Sequence, residues 1–142
     1  MKKNVLVLFI MAAIAISGCK KDDKKDDDAK STIVGKWLVK KIYEVEYENG
    51  VKKREDTDTD FGNQDFFEFK ADGTGLFSET GDTDPITYKV TGDMLTITDS
   101  PGESFDLKIK SLRGNDLVLV DESTETYQGV TYRNVTEITF KK

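Results

Sequence analysis

Apolar and polar side chains alternate along the chain from about Ile33 onward, and almost no helical period interrupts them. Alternation with a period of two is typical of a β-strand that buries one face and exposes the other. The first run extends from about Lys36 to Glu48. Its apolar face carries five residues: Trp37, Val39, Tyr43, Val45 and Tyr47. Lys41 interrupts that face, either because it lines a polar cavity or because a β-bulge lies there.

Seven further runs follow, each bounded by turn residues. They are predicted at 65–70, 75–80, 86–91, 94–99, 105–110, 117–127 and 130–140. Asn49-Gly50 favours a hairpin. Residues 51–54 are therefore expected to pair briefly with the first strand, before the acidic stretch 55–62 breaks the pattern. Residues 81–85 are expected to form a loop, because Pro85 has no amide hydrogen to donate to a ladder.

About eight short amphipathic strands with hairpin connections predict an all-β domain. Such a meander either closes into a barrel or leaves two edges exposed, and closure removes those edges. The sequence therefore predicts an up-and-down antiparallel β-barrel of about eight strands. Its interior would be filled by side chains or would hold one small ligand. A sandwich of two sheets satisfies the same alternation and is the alternative.

The N-terminal residues follow a different pattern. Lys2 and Lys3 precede an apolar block from Val5 to Ile16, an order typical of a secretory signal peptide. The block is too short for a membrane-spanning helix, which needs about 20 residues. The segment Ile16-Ser17-Gly18-Cys19 resembles the lipobox of bacterial lipoproteins. That resemblance implies that Cys19 carries acyl chains such as palmitate on its sulfur and becomes the new N-terminus. The alternatives are an ordinary signal peptide with a chance cysteine, or a single-span anchor.

These features divide the chain into a signal peptide (1–18), a lipidated cysteine with a charged tether (19–31) and a barrel domain (32–142). The tether reads KKDDKKDDDAK over residues 20–30, so its opposite charges cancel and nothing in it can enter a core. We expect it to be a solvated, disordered spacer. The Lys-Lys-Asp-Asp after Cys19 resembles the export signals of Bacteroidota lipoproteins, which implies the outer face of the outer membrane. A plain linker on a periplasm-facing lipoprotein is the alternative.

Composition limits the possible chemistry. The chain has a net charge of −6, and loss of a leader that contains Lys2 and Lys3 would make it more acidic. Such a surface repels nucleic-acid phosphates and anionic membranes, so direct binding to either is not expected. The absence of histidine and the single cysteine exclude Ser-His and Cys-His nucleophiles and His-ligated zinc. A glycosidase with paired carboxylates remains chemically possible, but it needs a large cleft. We therefore expect a non-enzymatic protein with no cofactor beyond the lipid on Cys19.

Gly35-Lys36-Trp37 opens the first strand and resembles the Gly-x-Trp motif of the lipocalins. Residues 69–75 (FKADGTG) and 117–119 (LVL) are similar to the lipocalin-like domain of small Bacteroidota lipoproteins. The resemblance covers roughly residues 33–142. It implies that Trp37 plugs the closed end of the barrel, that Gly35 lets the chain pass beneath it, and that a basic residue packs over the indole. Antiparallel strand order makes Arg113 and Lys141 the candidates for that residue.

Strand direction places acidic loops at the opposite end, the mouth. They carry Glu55, Asp56, Asp58, Asp60, Asp82, Asp84 and Glu103. Asp56, Asp58 and Asp60 alternate in a way that could wrap a calcium ion, although the spacing departs from an EF-hand and a solvated acidic loop is the alternative.

Four tyrosines are predicted to point inward and to orient a small apolar ligand, unless they simply fill the interior: Tyr43, Tyr47, Tyr88 and Tyr132. Two functions follow as hypotheses. The first is a lipid-anchored barrel that binds a small apolar ligand or a cation at its mouth. The second is a surface module whose acidic rim docks a basic protein. An open interior would favour the first hypothesis, and a filled one would favour the second.

Overall fold

A computed structural model describes residues 33–100 and 102–142 of the chain. The predictions for the signal peptide, for Cys19 and for the charged tether lie outside these residues. Nine strands lie within the described ranges: β1 (Gly35–Glu48), β2 (Val51–Asp58), β3 (Phe66–Phe69), β4 (Thr74–Glu79), β5 (Asp82–Thr91), β6 (Met94–Thr98), β7 (Ser104–Arg113), β8 (Asp116–Tyr127) and β9 (Val130–Lys141).

The strands form one antiparallel sheet in the order β2-β1-β3-β4-β5-β6-β7-β8-β9, and an additional pairing of β1 with β9 closes it. Eight strands therefore form the predicted up-and-down barrel, and β2 lies outside the ring. β3 pairs with β1 only at Gly35–Leu38, whereas β2 pairs with β1 from Ile42 to Glu48. The first part of β1 therefore pairs with β3 in the barrel, and its second part pairs with β2.

Three two-residue turns join strands at the mouth. They lie at Asn49-Gly50, Thr80-Gly81 and Gln128-Gly129, and both residues of each turn have positive φ. This backbone geometry matches the twist of a tight hairpin. The predictions of a hairpin at Asn49-Gly50 and of a turn at Gln128-Gly129 are confirmed.

Two local predictions were wrong. The acidic segment 55–58 does not break the pattern, because β2 continues to Asp58 in register with β1. Residues 82–85 belong to β5 rather than to a loop, and Pro85 pairs with Leu76. The amide of Tyr88 donates to Gly73 O on the β4 side, so alternation turns the nitrogen of Pro85 toward β6. Because β6 ends at Thr98, opposite Thr87, Pro85 interrupts no ladder.

Inward side chains from all eight barrel strands pack into a single core. The core contains sixteen buried apolar residues, with Trp37, Phe69 and Phe140 among its largest fully buried members. Ser78 is the buried polar residue, and its hydroxyl donates to Gln64 O at 2.6 Å. No helix in the described ranges has the length and apolar character needed to cross a bilayer.

The β1–β2 and β8–β9 hairpins project past the rest of the barrel at the mouth. We call this region the extension, and it consists of β2, residues 42–48 of β1, residues 130–136 of β9 and residues 121–127 of β8. Its strand order is β2-β1-β9-β8. Most side chains of the extension are at least partly exposed, and Ile42 and Val45 are its buried members.

Candidate functional site at the mouth of the barrel

Trp37 seals the end of the barrel opposite the mouth. The side chain is fully buried, and its Nε1 donates a hydrogen bond to Ile33 O at 2.6 Å. Ile33 is itself fully buried, so the residues just before β1 complete the closed end. The predicted plug is present, with the entering chain beneath it.

The basic residue over Trp37 is Lys142, so the candidates Arg113 and Lys141 were wrong. The Nζ of Lys142 lies 4.7 Å from the centre of the indole ring. Lys141 forms an ion pair with Asp116 instead, because alternation along β9 turns neighbouring side chains to opposite sides. A Cβ at Gly35 would come within 2.4 Å of Lys142 Cε. A side chain at position 35 would therefore displace the flexible end of Lys142, and the φ of +137° at Gly35 is one that other residues rarely adopt.

A bulge in β1 changes the prediction for two of the four tyrosines. The register with β9 shifts between Val39 and Lys41, so that Val39 opposes Phe140 and Ile42 opposes Ile138. Paired residues share a face, which places Ile42 inside and Tyr43 and Tyr47 on the outer surface. The interruption at Lys41 therefore marks a bulge, and the prediction that Tyr43 and Tyr47 point inward was wrong.

The other two tyrosines are on the inner side. Tyr88 is buried within the core, and its hydroxyl donates to Lys70 O at 2.6 Å. Burial raises the pKa of this phenol, with a smaller contribution from Asp72. Tyr132 pairs with Glu125 and Glu48 near the tip of the extension. The four tyrosines therefore do not converge on one pocket.

Two depressions among the described residues lie on the outer surface. One, of about 380 Å³, lies beside Leu76, Pro85 and Thr87. The other, of about 250 Å³, lies beside Met94, Lys108 and Val120. The first is bordered at one point by Ile86 of the core. The inward positions of the barrel are occupied by the packed side chains described above.

The inner face of the extension is acidic. The bulge turns Glu44 and Glu46 of β1 inward, and the register places Asp56 and Asp58 of β2 beside them. We call the following set the acidic face: Glu44, Glu46, Glu48, Asp56, Asp58, Asp121 and Glu125. Arg54 is the one basic residue that the register places on this face within the described ranges. Its guanidinium lies 3.7 Å from Glu46 and 3.6 Å from Asp56.

Two members of the acidic face ionise less readily than usual. Partial burial raises the pKa of Glu44, and the nearby charge of Asp56 raises it further, while Arg54 acts in the opposite direction. Partial burial also raises the pKa of Asp121. The face carries seven carboxylates and one arginine, so it holds more acidic groups than its own basic residue can neutralise.

The outer face of the extension differs, because its charges are paired. Glu55 accepts hydrogen bonds from Lys52 at 2.8 Å and from the Tyr43 hydroxyl at 3.0 Å, which lower its pKa. Arg133 donates to Glu122 at 2.6 Å and lies 5.0 Å from the ring centre of Tyr47. Unpaired carboxylates are thus concentrated on the inner side.

The proposed calcium loop is part of a strand rather than a wrapped loop. Asp56 and Asp58 lie on one face of β2, and residues two apart in an extended strand are separated by about 7 Å. Asp56 accepts from Thr57 N and Asp58 from Asp60 N, each at 2.9 Å. Within residues 33–100 and 102–142, no group of three or more His, Cys, Asp or Glu side chains is arranged to hold a metal. Calcium binding by Asp56, Asp58 and Asp60 stays a prediction.

Sequence reasoning placed acidic residues at the mouth, with Asp56 and Asp58 among them, but it missed Lys142 and the five members of the acidic face on β1 and β8. The signal for the acidic face was present at Lys41, because a bulge there reverses the orientation of every later residue in β1. The signal for Lys142 was its position one residue after Lys141, which returns the side chain to the inner side.

Comparison with known proteins places the chain in a family. The family model described as "Lipocalin-like domain" matches residues 33–119, which is more than half of the chain. Comparisons with curated proteins and with solved structures found no match. The matched range begins at the buried Ile33 and includes Gly35, Trp37 and the FKADGTG turn, and barrels of this type are typically non-enzymatic and of the ligand-binding kind. The closed eight-stranded barrel and the family match agree, and the chain belongs to the lipocalin-like domain family.

Proposed function

We propose that this protein is a non-enzymatic, lipid-anchored interaction module that docks a basic protein on its acidic face. The observation that carries the proposal is the four-stranded extension, which places seven carboxylates and one arginine on its inner side. Complementary charge steers a basic partner to such a surface and selects against acidic ones. The extension leaves this face open to a large partner.

The filled barrel favours this function over binding of a small apolar ligand. Ligand sites are usually concave cavities of roughly 300–1,000 Å³ that enclose most of the ligand. Here sixteen apolar side chains occupy the interior, and the two depressions lie outside it. The four tyrosines proposed to orient a ligand are also distributed over both faces of the wall.

The direction of the chain supports an anchored arrangement. Ile33 lies beneath Trp37 at the closed end, so the tether from Cys19 reaches the domain from that side. A lipid on Cys19 would then leave the mouth pointing away from the membrane. We propose the outer membrane as the location, with the domain on the cell surface.

Salt-dependent capture with charge-reversed variants tests this function. Full-length protein would be used to capture partners from an outer-membrane extract at about 50 mM and about 500 mM salt, because screening weakens contacts between exposed charges. The test variant is Glu46→Lys with Asp56→Lys, on the acidic face. The control is Asp93→Lys with Asp106→Lys, two exposed carboxylates of the barrel.

We expect the test variant to retain about tenfold less partner than the wild type, and the control to retain the wild-type amount. High salt should release the partner from the wild type. Equal retention by both variants would contradict the proposal. Mass spectrometry of the mature N-terminal peptide tests the proposed lipid anchor. An unmodified Cys19 would contradict it.

A further inference from the structure

The extension has two free edges, and they differ in how well they are protected. β2 forms one edge, and residues 121–127 of β8 form the other, because β7 pairs with β8 only up to Val120. A free edge presents unpaired amides and carbonyls that can accept a further strand. Proteins usually protect such edges with charged residues or bulges.

The β2 edge is protected. Six of its eight residues are charged: Lys52, Lys53, Arg54, Glu55, Asp56 and Asp58. The register with β1 shifts between Glu46 and Tyr47, so a bulge distorts this edge. The amide of Thr57 donates to the Asp56 carboxylate at 2.9 Å. The bulge and the occupied amide of Thr57 therefore make the β2 edge a poor pairing site for a partner strand.

The β8 edge has no bulge and is not paired with β7. Its register with β9 continues without a shift from Asp116 to Tyr127, and the segment 121–127 contains no Lys, Arg or Pro. The exposed Tyr127 lies at its end, with 65% of its surface accessible. Exposed aromatic residues beside a binding edge are frequent anchors for a partner.

Backbone alternation identifies the groups that a partner can reach. Thr131 exchanges hydrogen bonds with Asn49 on the β1 side, so Tyr132 and Asn134 turn their backbone toward β8. Their partners Glu125 and Ser123 therefore point toward β9, and Thr124 and Thr126 point to the free edge. The carboxylate of Asp121 interacts with the amide of Glu122, which leaves the amides of Thr124 and Thr126 as the open donors.

We propose that the β8 edge binds one strand of a partner protein through main-chain hydrogen bonds, and that this strand carries Lys or Arg at alternate positions. The inference rests on the proposed function and adds its geometry. A strand paired with β8 places every second side chain directly opposite Asp121, Ser123 and Glu125 on the acidic face, within reach of a cross-strand charge pair.

The other side of the incoming strand meets a different surface. Glu122 points outward and is already paired with Arg133 at 2.6 Å, and Thr124 and Thr126 are neutral. Neutral residues therefore fit the outer positions of the partner strand. A second copy of this chain fits poorly, because it would bring its own Asp121, Glu122 and Glu125 to the same edge.

Two synthetic peptides of equal composition test the edge. The first is acetyl-Thr-Lys-Thr-Lys-Thr-Lys-Thr-amide, and the second groups the same residues as acetyl-Lys-Lys-Lys-Thr-Thr-Thr-Thr-amide. Each would be titrated into the full-length protein while amide signals are followed by NMR. We expect the alternating peptide to bind about tenfold more tightly than the grouped one and to slow hydrogen exchange of the Thr124 and Thr126 amides.

A pair of proline variants separates edge binding from simple charge attraction. Thr124→Pro removes an outward donor without breaking the ladder to β9, and Thr57→Pro makes the same change on the β2 edge. Circular dichroism and thermal unfolding confirm that each variant folds. We expect about a tenfold loss of affinity for Thr124→Pro and no change for Thr57→Pro.

Each contrary outcome has a distinct meaning. Equal binding of both peptides, with no effect of Thr124→Pro, overturns strand addition and leaves the proposed docking function in place. No binding of either peptide overturns both. If the wild type is a dimer and Thr124→Pro is a monomer, a second copy of the chain occupies the β8 edge. That result overturns the proposal that the edge binds a basic partner protein.

Discussion

The closed half of the barrel and the extension are built from the same long strands, yet their polarity is opposite. In the closed half the inward residues of β1, β8 and β9 are apolar and fully buried, as for Trp37, Leu117 and Phe140. In the extension the inward residues of the same strands are polar, as for Glu44 and Asp121. Apolar side chains instead lie on the outer side, where Val45 is only 5% exposed.

This difference shows that one bulge can convert a core-forming strand into one that displays charge. The period-two pattern of β1 continues through Tyr43, Val45 and Tyr47, but the extra residue between Val39 and Lys41 turns that pattern outward. The outer face then buries Val45 beneath neighbouring side chains, and the inner face is left to carboxylates. The apolar core of the barrel lies on the closed side of the bulge, and the proposed docking surface lies on the side of the mouth.

Removal of Trp37 should produce the largest effect and test whether stability is concentrated in the closed half. Trp37→Ala creates a cavity in the core and leaves Ile33 O without its donor, so we expect a loss of about 3–5 kcal/mol in the free energy of unfolding. Tyr47→Ala on the outer face of the extension should lose only about 1 kcal/mol. Denaturant unfolding monitored by circular dichroism measures both, and equal losses would contradict the division.

A smaller effect is expected at Gly35, where φ is +137° and a Cβ would meet Lys142 Cε. Gly35→Ala should lower the free energy of unfolding by about 2–3 kcal/mol, because it adds backbone strain and displaces the lysine from the indole. Gly50→Ala is the matched control. Its φ is also positive but nothing lies within 4 Å of the added Cβ, so only about 1 kcal/mol should be lost. A shift of Trp37 fluorescence in the first variant alone would confirm that Lys142 has moved.

The barrel itself could be predicted from the sequence, because its signals are local. Alternation gave the positions of the strands, and Asn49-Gly50 and Gln128-Gly129 marked turns whose positive φ these residues tolerate. A short motif at the start of β1 also pointed to Gly35 and Trp37, and Trp37 is buried at the closed end as expected. Hairpin connections account for the neighbours from β3 to β9, whereas the pairings of β1 with β3 and with β9 join strands that no hairpin connects.

The candidate site could not be predicted to the same extent, because it depends on register across distant strands. No turn-forming residue marks the bulge in the sequence. Lys41 was compatible with either a polar cavity or a bulge. Pro85 suggested a loop because its pairing depends on where β6 ends, which is set by a different hairpin. The acidic face combines β1, β2 and β8, so it appears only after the register of all three is known.

The smallest expected effect on stability concerns the charge on the acidic face. Here the substitution should stabilise the fold, whereas the earlier substitutions destabilise it. The pKa of Glu44 is raised above the value of 4.5 expected for an unfolded chain, chiefly by burial. The ionised group therefore destabilises the fold at neutral pH, and this penalty disappears as the pH falls below the unfolded value. Glu44→Gln should raise the free energy of unfolding by about 0.5 kcal/mol at pH 7 after allowance for solvent screening. The gain should disappear below about pH 4.

Glu122→Gln on the outer face is the control that sharpens this comparison. Arg133 lowers the pKa of Glu122, so ionised Glu122 stabilises the fold above the unfolded pKa, and that contribution is lost as the pH falls through the folded pKa. Glu122→Gln should therefore be less stable than the wild type at pH 7, and the two should converge in acid. Thermal unfolding between pH 3 and pH 8 measures both variants. If unpaired charge lies on the inner face and paired charge on the outer face, the two substitutions must change the free energy of unfolding at pH 7 in opposite directions. Changes in the same direction would contradict that assignment.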